Sequence, residues 1–240
     1  MSTENTVFTD LQHSHASRLA SITADAFAND LLFKLECPDD DAIDAMKRHD
    51  EASFHDITEG NSSPPNIISV CVVADRITGH VLGYAKWTMF DWSHANMTED
   101  PKIGTATRGS DGNDGLDYDV ESPPLSSPPA ATLYADISAT RRLELLSSKG
   151  PYICLEVVAV DPTAQRNGVG SMLVRRAQAT AADNKLPIFC EVISKIVPFY
   201  LRSGFHVVDS LSLPTPDGYD QAAEELTIFY LAFYPERQHT

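Results

Sequence analysis

The chain has 240 residues, which suits one elaborated domain with a buried core rather than two full domains. Its 18 basic and 34 acidic residues give a formal net charge of −16, which disfavours nucleic-acid and anionic-membrane partners because phosphate groups require clustered lysines and arginines. No apolar run approaches the roughly 20 residues of a membrane-spanning helix, and the first ten residues lack a secretory signal pattern, so we expect a cytoplasmic protein.

The first 60 residues predict two helices. Apolar residues recur at helical spacing over residues 14–27, behind a cap at Ser14 or Ser17. Three aspartates follow Pro38, and because carboxylates stabilise a helix N-terminus, a second helix is predicted over residues 40–55.

A hairpin and a long insertion are predicted next. After a loop at residues 60–66, the segments 67–73 and 81–90 are rich in β-branched and aromatic residues, and the turn residues 75–80 between them indicate an antiparallel hairpin. Residues 95–131 are rich in Gly, Asp, Ser and Pro and lack the apolar surface to hold one structure, so we expect a flexible insertion. It either covers a binding pocket as a lid or has no role.

The remainder of the chain predicts alternating helices and strands. A helix over residues 132–147 has Leu133, Ile137, Leu143 and Leu146 as its apolar stripe. Beyond it we predict a strand at 152–160, a helix at 169–184, a strand at 188–193, a short helix at 196–203, and strands at 206–213 and 226–234.

The cysteines and histidines do not form a recognisable metal or redox motif. Cys37, Cys71, Cys154 and Cys190 lie far apart, three of them in apolar runs, which predicts buried free thiols. His13 and His15 have no recognisable third ligand nearby, so no metal site is predicted.

The sharpest pattern lies between the strand at 152–160 and the helix at 169–184. Gln165, Gly168 and Gly170 stand there, and glycines at the head of a helix let a ligand approach the unpaired amides of its first turn. Such a turn suits a phosphate group. It is not a Walker loop, because no Gly-Lys-Ser/Thr follows, and it fails the dinucleotide pattern because Leu173 replaces the third glycine.

Two motifs together resemble the GNAT superfamily of acyl-CoA-dependent N-acyltransferases. Gln165, Gly168 and Gly170 match the fixed positions of the family loop Gln/Arg-x-x-Gly-x-Gly/Ala, and Tyr200 precedes the pair Gly204-Phe205 by four residues, as in the second family motif. The resemblance implies one α/β (α+β) GNAT-like domain over residues 1–240. Its sheet would be mixed and mostly antiparallel, with six to seven strands flanked by helices and a central splay between the fourth and fifth strands.

The resemblance also implies acetyl-CoA as the acyl donor substrate, bound in the splay. The pantetheine arm would lie along the backbone near Val158, Ala159 and Val160. The diphosphate would lie on the turn and the first helical turn, at Gln165, Arg166, Asn167, Gly168, Val169, Gly170 and Ser171. Many relatives have Asn where this chain has Ser194-Lys195, so no coenzyme A contact is expected from there.

Three side chains are candidates for proton transfer. Tyr200 matches the family tyrosine near the coenzyme A sulfur and would act as general acid, the alternative being a core tyrosine. Glu156 is the lone charge in an apolar strand, and alternation predicts that it shares the face of Val158 and Val160. It is either the general base or a structural glutamate paired with an arginine or across the sheet. Glu191 competes as base, and water chains are a third route.

The acceptor pocket implied by the resemblance draws on three loops. Its residues would be Phe27, Asn29 and Asp30, then Trp87, Phe90, Asp91 and Trp92, and the stretch 214–219. Aromatic rings and carboxylates suit a cationic amine, although Trp87 and Phe90 also fit a core.

We therefore expect an enzyme that transfers an acetyl group to a primary amine of a small, cationic acceptor by direct attack in a ternary complex. Cys154 and Cys190 have no recognisable His/Asp partner, which disfavours an acyl-enzyme. The alternatives are a protein lysine or N-terminal acetyltransferase and a non-catalytic acyl-CoA-binding protein. Besides the small-molecule amine we expect no nucleic-acid partner and no membrane partner, and the protein would be a monomer or a homodimer.

Overall fold

The computed structural model describes residues 5–60, 67–90, 129–146, 150–213 and 226–235. The described residues form a seven-stranded sheet with helices against both of its faces, and the strand order is β1-β2-β3-β4-β5-β7-β6. All neighbours are antiparallel except β4 and β5, which are parallel. The predicted fold class is confirmed. No helix in the described ranges is long and apolar enough to cross a membrane.

The strands are mostly apolar, and the long helix α3 begins and ends at recognisable capping residues. The strands are β1 Thr6–Asp10, β2 Ile67–Asp75, β3 Val81–Phe90, β4 Tyr152–Val160, β5 Ile188–Ile193, β6 His206–Ser212 and β7 Thr227–Phe233. The helices are α1 Ala16–Phe27, α2 Leu31–Glu36, α3 Asp40–Glu59, α4 Pro129–Leu146, α5 Val169–Asn184 and α6 Val197–Arg202. The Asp39 side chain caps α3, and Gly60 ends it with φ +74°.

The two faces of the sheet bury separate apolar clusters. One face, which we call the α5 face, packs against α5 and α6 through strand residues such as Ala85, Leu155 and Leu231. The other, the α1 face, packs against α1 and α3 at its amino-terminal half and against α2 and α4 at its carboxyl-terminal half. A ligand bound between two strands would therefore border two separate clusters, one on each face of the sheet.

The parallel contact between β4 and β5 is short. Only Ile153 with Ile188 and Cys154 with Phe189 are paired, and the strands separate beyond them. Beyond these two pairs, no residue of β4 is paired with a residue of β5, so a gap opens at the centre of the sheet. The predicted splay between the fourth and fifth strands is confirmed.

Three features differ from the sequence-based expectations. β1 and α2 were not predicted, because five and six residues are too few to show a period. The residue before α1 is His15, and its side chain makes no cap hydrogen bond, so the Ser14 or Ser17 cap was wrong. The expected insertion at 95–131 lies outside the described residues up to 128, and its last residues belong to α4.

Gly83 lies where β3 pairs with β4, and the side chain of a larger residue there would clash with the backbone of β4. A Cβ at this position would lie 2.7 Å from the carbonyl oxygen of Ala159 and 3.2 Å from Cα of Val160. Relief of this clash requires movement of β4, so we expect Gly83→Ala to lower the free energy of unfolding by about 1–3 kcal/mol, measured by urea denaturation.

Gly170→Ala is the matched control for Gly83→Ala. Its Cβ would meet side-chain atoms of Phe199 and Val160 at 3.6 and 3.7 Å, which are ordinary contact distances. Alanine also favours a helix more than glycine does. Equal urea midpoints for the two variants would contradict the clash at Gly83.

Candidate active site

The turn between β4 and α5 is held in shape by side chains. Oδ1 of Asp161 accepts from the backbone N–H of Thr163 at 2.7 Å and from its hydroxyl at 2.5 Å. Arg18 of α1 forms an ion pair with Asp161. Partial burial raises the pKa of Asp161, but these donors outweigh it and lower the pKa overall. Gln165 Nε2 donates to the Val160 carbonyl at 3.2 Å, which ties the turn to the end of β4.

The backbone of this turn adopts an unusual conformation at two residues. Arg166 has φ +62° and Gly168 has φ +84°, both in the left-handed region. Such residues curve the chain so that neighbouring N–H groups converge. Gly168 is the N-cap of α5 and supplies no side-chain cap, so the first-turn amides at Val169, Gly170 and Ser171 keep donors for a ligand. The arrangement fits an anion such as a diphosphate.

Tyr200 lies on the α5 face beside the gap. It is 5 % exposed and packs edge-to-face against Phe199 and Phe205, with ring centroids 5.1 Å apart in both pairs. Burial raises the pKa of Tyr200 well above 10, and the neighbouring Cys190 thiol adds to this. Cys190 is the first residue of β5 beyond the last pair with β4. Tyr200 is therefore a protonated hydroxyl at the opening.

Glu156 lies on the opposite face from the one predicted. β4 is bulged at this residue, because Lys86 pairs with Val157 and Trp87 pairs with Leu155, so Glu156 has no partner position in β3. The extra residue shifts the alternation, and Glu156 shares the α1 face with Lys86 and Thr88. The prediction that it shares the face of Val158 and Val160 was wrong, since those two pack on the α5 face.

The Glu156 carboxylate has two partners on the α1 face. Thr88 Oγ1 donates to Oε1 at 2.5 Å, and Lys86 Nζ lies 3.3 Å from Oε2. The Glu156 side chain is 18 % exposed and that of Lys86 is 23 % exposed. Of the structural alternatives, pairing across the sheet is what the structure shows, with a lysine rather than an arginine as the charged partner. The pair remains open to solvent.

Glu191 faces Glu156 across the gap. Each is the second residue beyond the last β4–β5 pair, and both lie on the α1 face. Arg142 Nε of α4 lies 2.7 Å from Glu191 Oε1, although the N–H is not aligned for a hydrogen bond, and Ser138 Oγ donates to Oε2. Burial lowers the pKa of Arg142, but Glu191 outweighs it and raises the pKa overall. Two carboxylates, each beside one cation, therefore border the opening.

The expected acceptor residues do not form one group. Trp87 is buried on the α5 face, whereas Phe90 is buried on the α1 face and stacks on Tyr152. Phe27 packs against the α1 cluster. Asp30 at the start of α2 forms an ion pair with Lys195, which follows β5. Asn29 lies in the turn between α1 and α2. The other expected residues, Asp91, Trp92 and the stretch 214–219, lie outside the described residues.

Sequence reasoning missed Lys86, Thr88, Ser138 and Arg142. Lys86 carried a usable signal, because it is the lone charge in an apolar strand, as Glu156 is in β4. Arg142 carried none, since a helical arginine is ordinary and its partner lies on a distant strand.

The thiols near the opening are buried and protonated. Burial raises the pKa of Cys154 to about 12, with the Glu156 and Glu191 carboxylates adding to it, and raises the pKa of Cys190 well above 9. All four cysteines are free, as predicted, and three are buried while Cys37 is partly exposed. In the described part of the chain, no group of three or more His, Cys, Asp or Glu residues could hold a metal ion.

Comparison with known protein families gives a match to one part of the chain. Residues 133–207 match the sequence profile of the acetyltransferase (GNAT) domain. The matched stretch includes the turn before α5 and Tyr200. No curated protein matches the sequence significantly.

Solved structures share the fold at low sequence identity. The histone acetyltransferase HPA2 and related acetyltransferase from Corynebacterium glutamicum has a TM-score of 0.56 at 18% identity, over 98% of this chain and 99% of that one. Arylalkylamine N-acetyltransferase 2 from Aedes aegypti gives 0.60 at 9% identity, over 97% and 100%. Arabidopsis thaliana NAA60, solved with a bisubstrate analogue, gives 0.55 at 11% identity, over 96% and 98%.

Proposed function

Because this chain carries a GNAT acetyltransferase domain and the GNAT fold, we propose that it transfers the acetyl group of acetyl-CoA to a primary amine of a small, cationic acceptor. The GNAT family in general uses acetyl-CoA, which supports it as the donor, and both the donor and the acceptor are part of our proposal.

One arrangement carries the proposal: the gap between β4 and β5 has a proton donor on one face and carboxylates on the other. Tyr200 lies on the α5 face, and Glu156 and Glu191 lie on the α1 face. Transfer to nitrogen needs a neutral amine and a proton for the departing thiolate. An acceptor that enters from the α1 face therefore meets a base, and the thiolate meets Tyr200.

The turn before α5 supports acetyl-CoA as the donor. Its left-handed residues Arg166 and Gly168 and the uncapped amides of α5 suit a diphosphate. The edge of β4 along Val158, Ala159 and Val160 is not paired with β5, and it suits the amide groups of a pantetheine arm, which would add to the sheet like a strand. Gln165 acts on this site indirectly, by holding the turn through Val160.

Glu156 is the better candidate for general base. Its charged partner Lys86 is a partly exposed lysine on a flexible side chain, which an incoming ammonium can displace. Glu191 is fixed by Arg142 and Ser138 and has one buried oxygen without a hydrogen-bond partner among the described residues. We assign proton acceptance to Glu156, and the Arg142 pair to the wall of the acceptor site.

A cationic acceptor is favoured because its ammonium can replace Lys86 as the charged partner of Glu156. The bound ammonium then passes one proton to Glu156, which leaves a neutral amine for the attack on the thioester. Direct transfer is favoured over an acyl-enzyme because burial raises the pKa of the Cys154 and Cys190 thiols, which keeps them protonated and poorly nucleophilic.

The test is acetyl transfer to a panel of amines. The purified protein is incubated with acetyl-CoA and, separately, aliphatic diamines, arylalkylamines and a lysine-containing peptide with a free amino terminus. We expect thiol release and acetylated product with small amines, at higher kcat/KM than with the peptide. If only the peptide is acetylated, the acceptor is a protein rather than a small amine. If calorimetry detects coenzyme A binding but no amine is acetylated, the protein is a non-catalytic acyl-CoA-binding protein.

Gly168 gives a direct test of the diphosphate site. Valine avoids a φ of +84°, so Gly168→Val forces the turn out of the left-handed conformation and misaligns the amides. A hydrogen bond to a charged group contributes about 1.5–3 kcal/mol, so loss of one weakens binding about 10- to 100-fold. Calorimetric titration with coenzyme A measures this.

Gly60→Val is the matched control for Gly168→Val. Gly60 has φ +74° at the end of α3, with nothing within 4 Å of its added Cβ, so valine there imposes similar backbone strain away from the turn. We expect lower stability with unchanged coenzyme A affinity. Equal weakening of binding in both variants would show that strain alone, rather than the turn, is responsible.

A further inference from the structure

Lys86 is a primary amine already in contact with the base proposed above. Its Nζ lies 3.3 Å from Glu156 Oε2 on the α1 face of the sheet. A base for N-acetylation must hold the acceptor nitrogen within hydrogen-bond reach, about 2.6–3.2 Å. Lys86 comes close to that position without any external ligand.

Its surroundings distinguish Lys86 from other described lysines. Lys47 of α3 also has a carboxylate nearby, with Nζ 3.8 Å from Asp44 Oδ1, but that pair lies along one helix surface. Lys195 pairs with Asp30 and is half exposed. Lys86 instead contacts a carboxylate that lies two residues past the point where β4 and β5 separate.

We propose that Lys86 is an internal acceptor, so that the protein acetylates its own Lys86 side chain. The inference rests on the proposed function, because it uses the same donor and the same base. The Lys86 side chain is partly exposed and flexible, so its Nζ can move from Glu156 toward the gap.

The step balances without any further reactant. Glu156 takes one proton from the Lys86 ammonium, and the neutral nitrogen attacks the thioester carbonyl carbon. The C–N bond forms, the C–S bond breaks, and its electron pair stays on sulfur, which receives a proton from Tyr200. The nitrogen loses its second proton as the amide forms; this proton restores Tyr200 through water, and Glu156 releases the first proton to water, so the products are acetyl-lysine, the free thiol and one proton.

Arg142 provides the internal contrast. It stands beside Glu191 as Lys86 stands beside Glu156, but a guanidinium stays protonated and is a poor nucleophile. Of the two cations at the opening, only the lysine can accept an acetyl group. Acetylation removes its charge and leaves Glu156 without its ion-pair partner, which changes the site that an external amine meets.

The experiment follows acetylation by mass spectrometry in the full-length protein, with acetyl-CoA and without an amine. We expect one added acetyl group at Lys86, seen as a missed tryptic cleavage, at a first-order rate that is independent of protein concentration. Glu156→Gln is expected to be about 100-fold slower, and Lys86→Arg to lack the modification. Lys47 is the matched control, since chemical acetylation modifies it equally in every variant.

Two results would overturn the inference while leaving the proposed function standing. One is turnover of a free amine with Lys86 unmodified. The other is acetylation of Lys86 at the rate of Lys47, or at an unchanged rate in Glu156→Gln. Either rate would show that the modification is non-enzymatic. Failure of the proposed function is a different result: no coenzyme A binding and no turnover of any amine, in which case self-acetylation is excluded as well.

Discussion

Replacement of Tyr200 by phenylalanine is expected to lower kcat by about 10²- to 10⁴-fold, the usual contribution of a positioned general acid. The ring keeps its edge-to-face contacts with Phe199 and Phe205, so the fold is retained and only the hydroxyl is lost. The departing thiolate then lacks its proton donor. Steady-state kinetics should show the loss in kcat, with KM for acetyl-CoA nearly unchanged, because the interaction acts in the transition state.

The pH dependence of the same reaction offers a second readout. Burial raises the pKa of Tyr200 well above 10, so the hydroxyl stays protonated, and competent as an acid, throughout the neutral and mildly alkaline range. We therefore expect kcat of the natural protein to show no decline up to about pH 10 from loss of this proton.

Tyr84→Phe is the control for Tyr200→Phe. Tyr84 is 1 % exposed, and its hydroxyl lies 2.6 Å from Thr23 Oγ1 on the α1 side of the sheet. Its loss should cost about 1 kcal/mol of stability with kcat preserved. A comparable fall in kcat in both variants would mean that burial of a tyrosine, rather than proton donation at the gap, explains the effect.

Glu156→Gln is expected to lower kcat/KM for the amine by about 10²- to 10⁴-fold. Glutamine keeps the shape and still accepts a hydrogen bond from Thr88, but it cannot take the acceptor proton. A larger fraction of the amine is neutral at alkaline pH, so the variant should recover activity as pH rises, and Glu156→Asp should retain part of the rate.

Glu191→Gln separates the two carboxylates. Its partner Arg142 would remain beside the opening without a compensating charge, so we expect lower thermal stability and a higher KM for a cationic amine, with kcat largely preserved. If the two variants exchange these effects, Glu191 is the base. If kcat survives in both, a water chain performs the proton transfer.

Local pattern was enough to predict the elements with a strong period. The helix predicted over residues 169–184 has those bounds, and the hairpin and the strand at 152–160 lie where their apolar runs indicated. The two motifs then led to the GNAT fold and its splay. β1 was missed because its five residues alternate too briefly. Organisation as one domain stays a prediction.

The details of the site depend on contacts that no local pattern contains. The bulge at Glu156 arises from its pairing with β3, so alternation within β4 alone gave the wrong face. Arg142 meets Glu191 only because α4 packs across β5 and β7. The sequence therefore showed which residues were candidates for the site. Strand pairing and helix packing determine which of them face one another.

The burial of three thiols makes Cys37 a natural attachment point for a reporter. Cys71, Cys154 and Cys190 are shielded, whereas Cys37, between α2 and α3, is partly exposed. Burial, together with Glu36, Asp50 and Asp39, raises its pKa to about 11, so conjugation calls for an alkaline buffer. A single fluorophore can then be attached at Cys37 without replacement of any other cysteine.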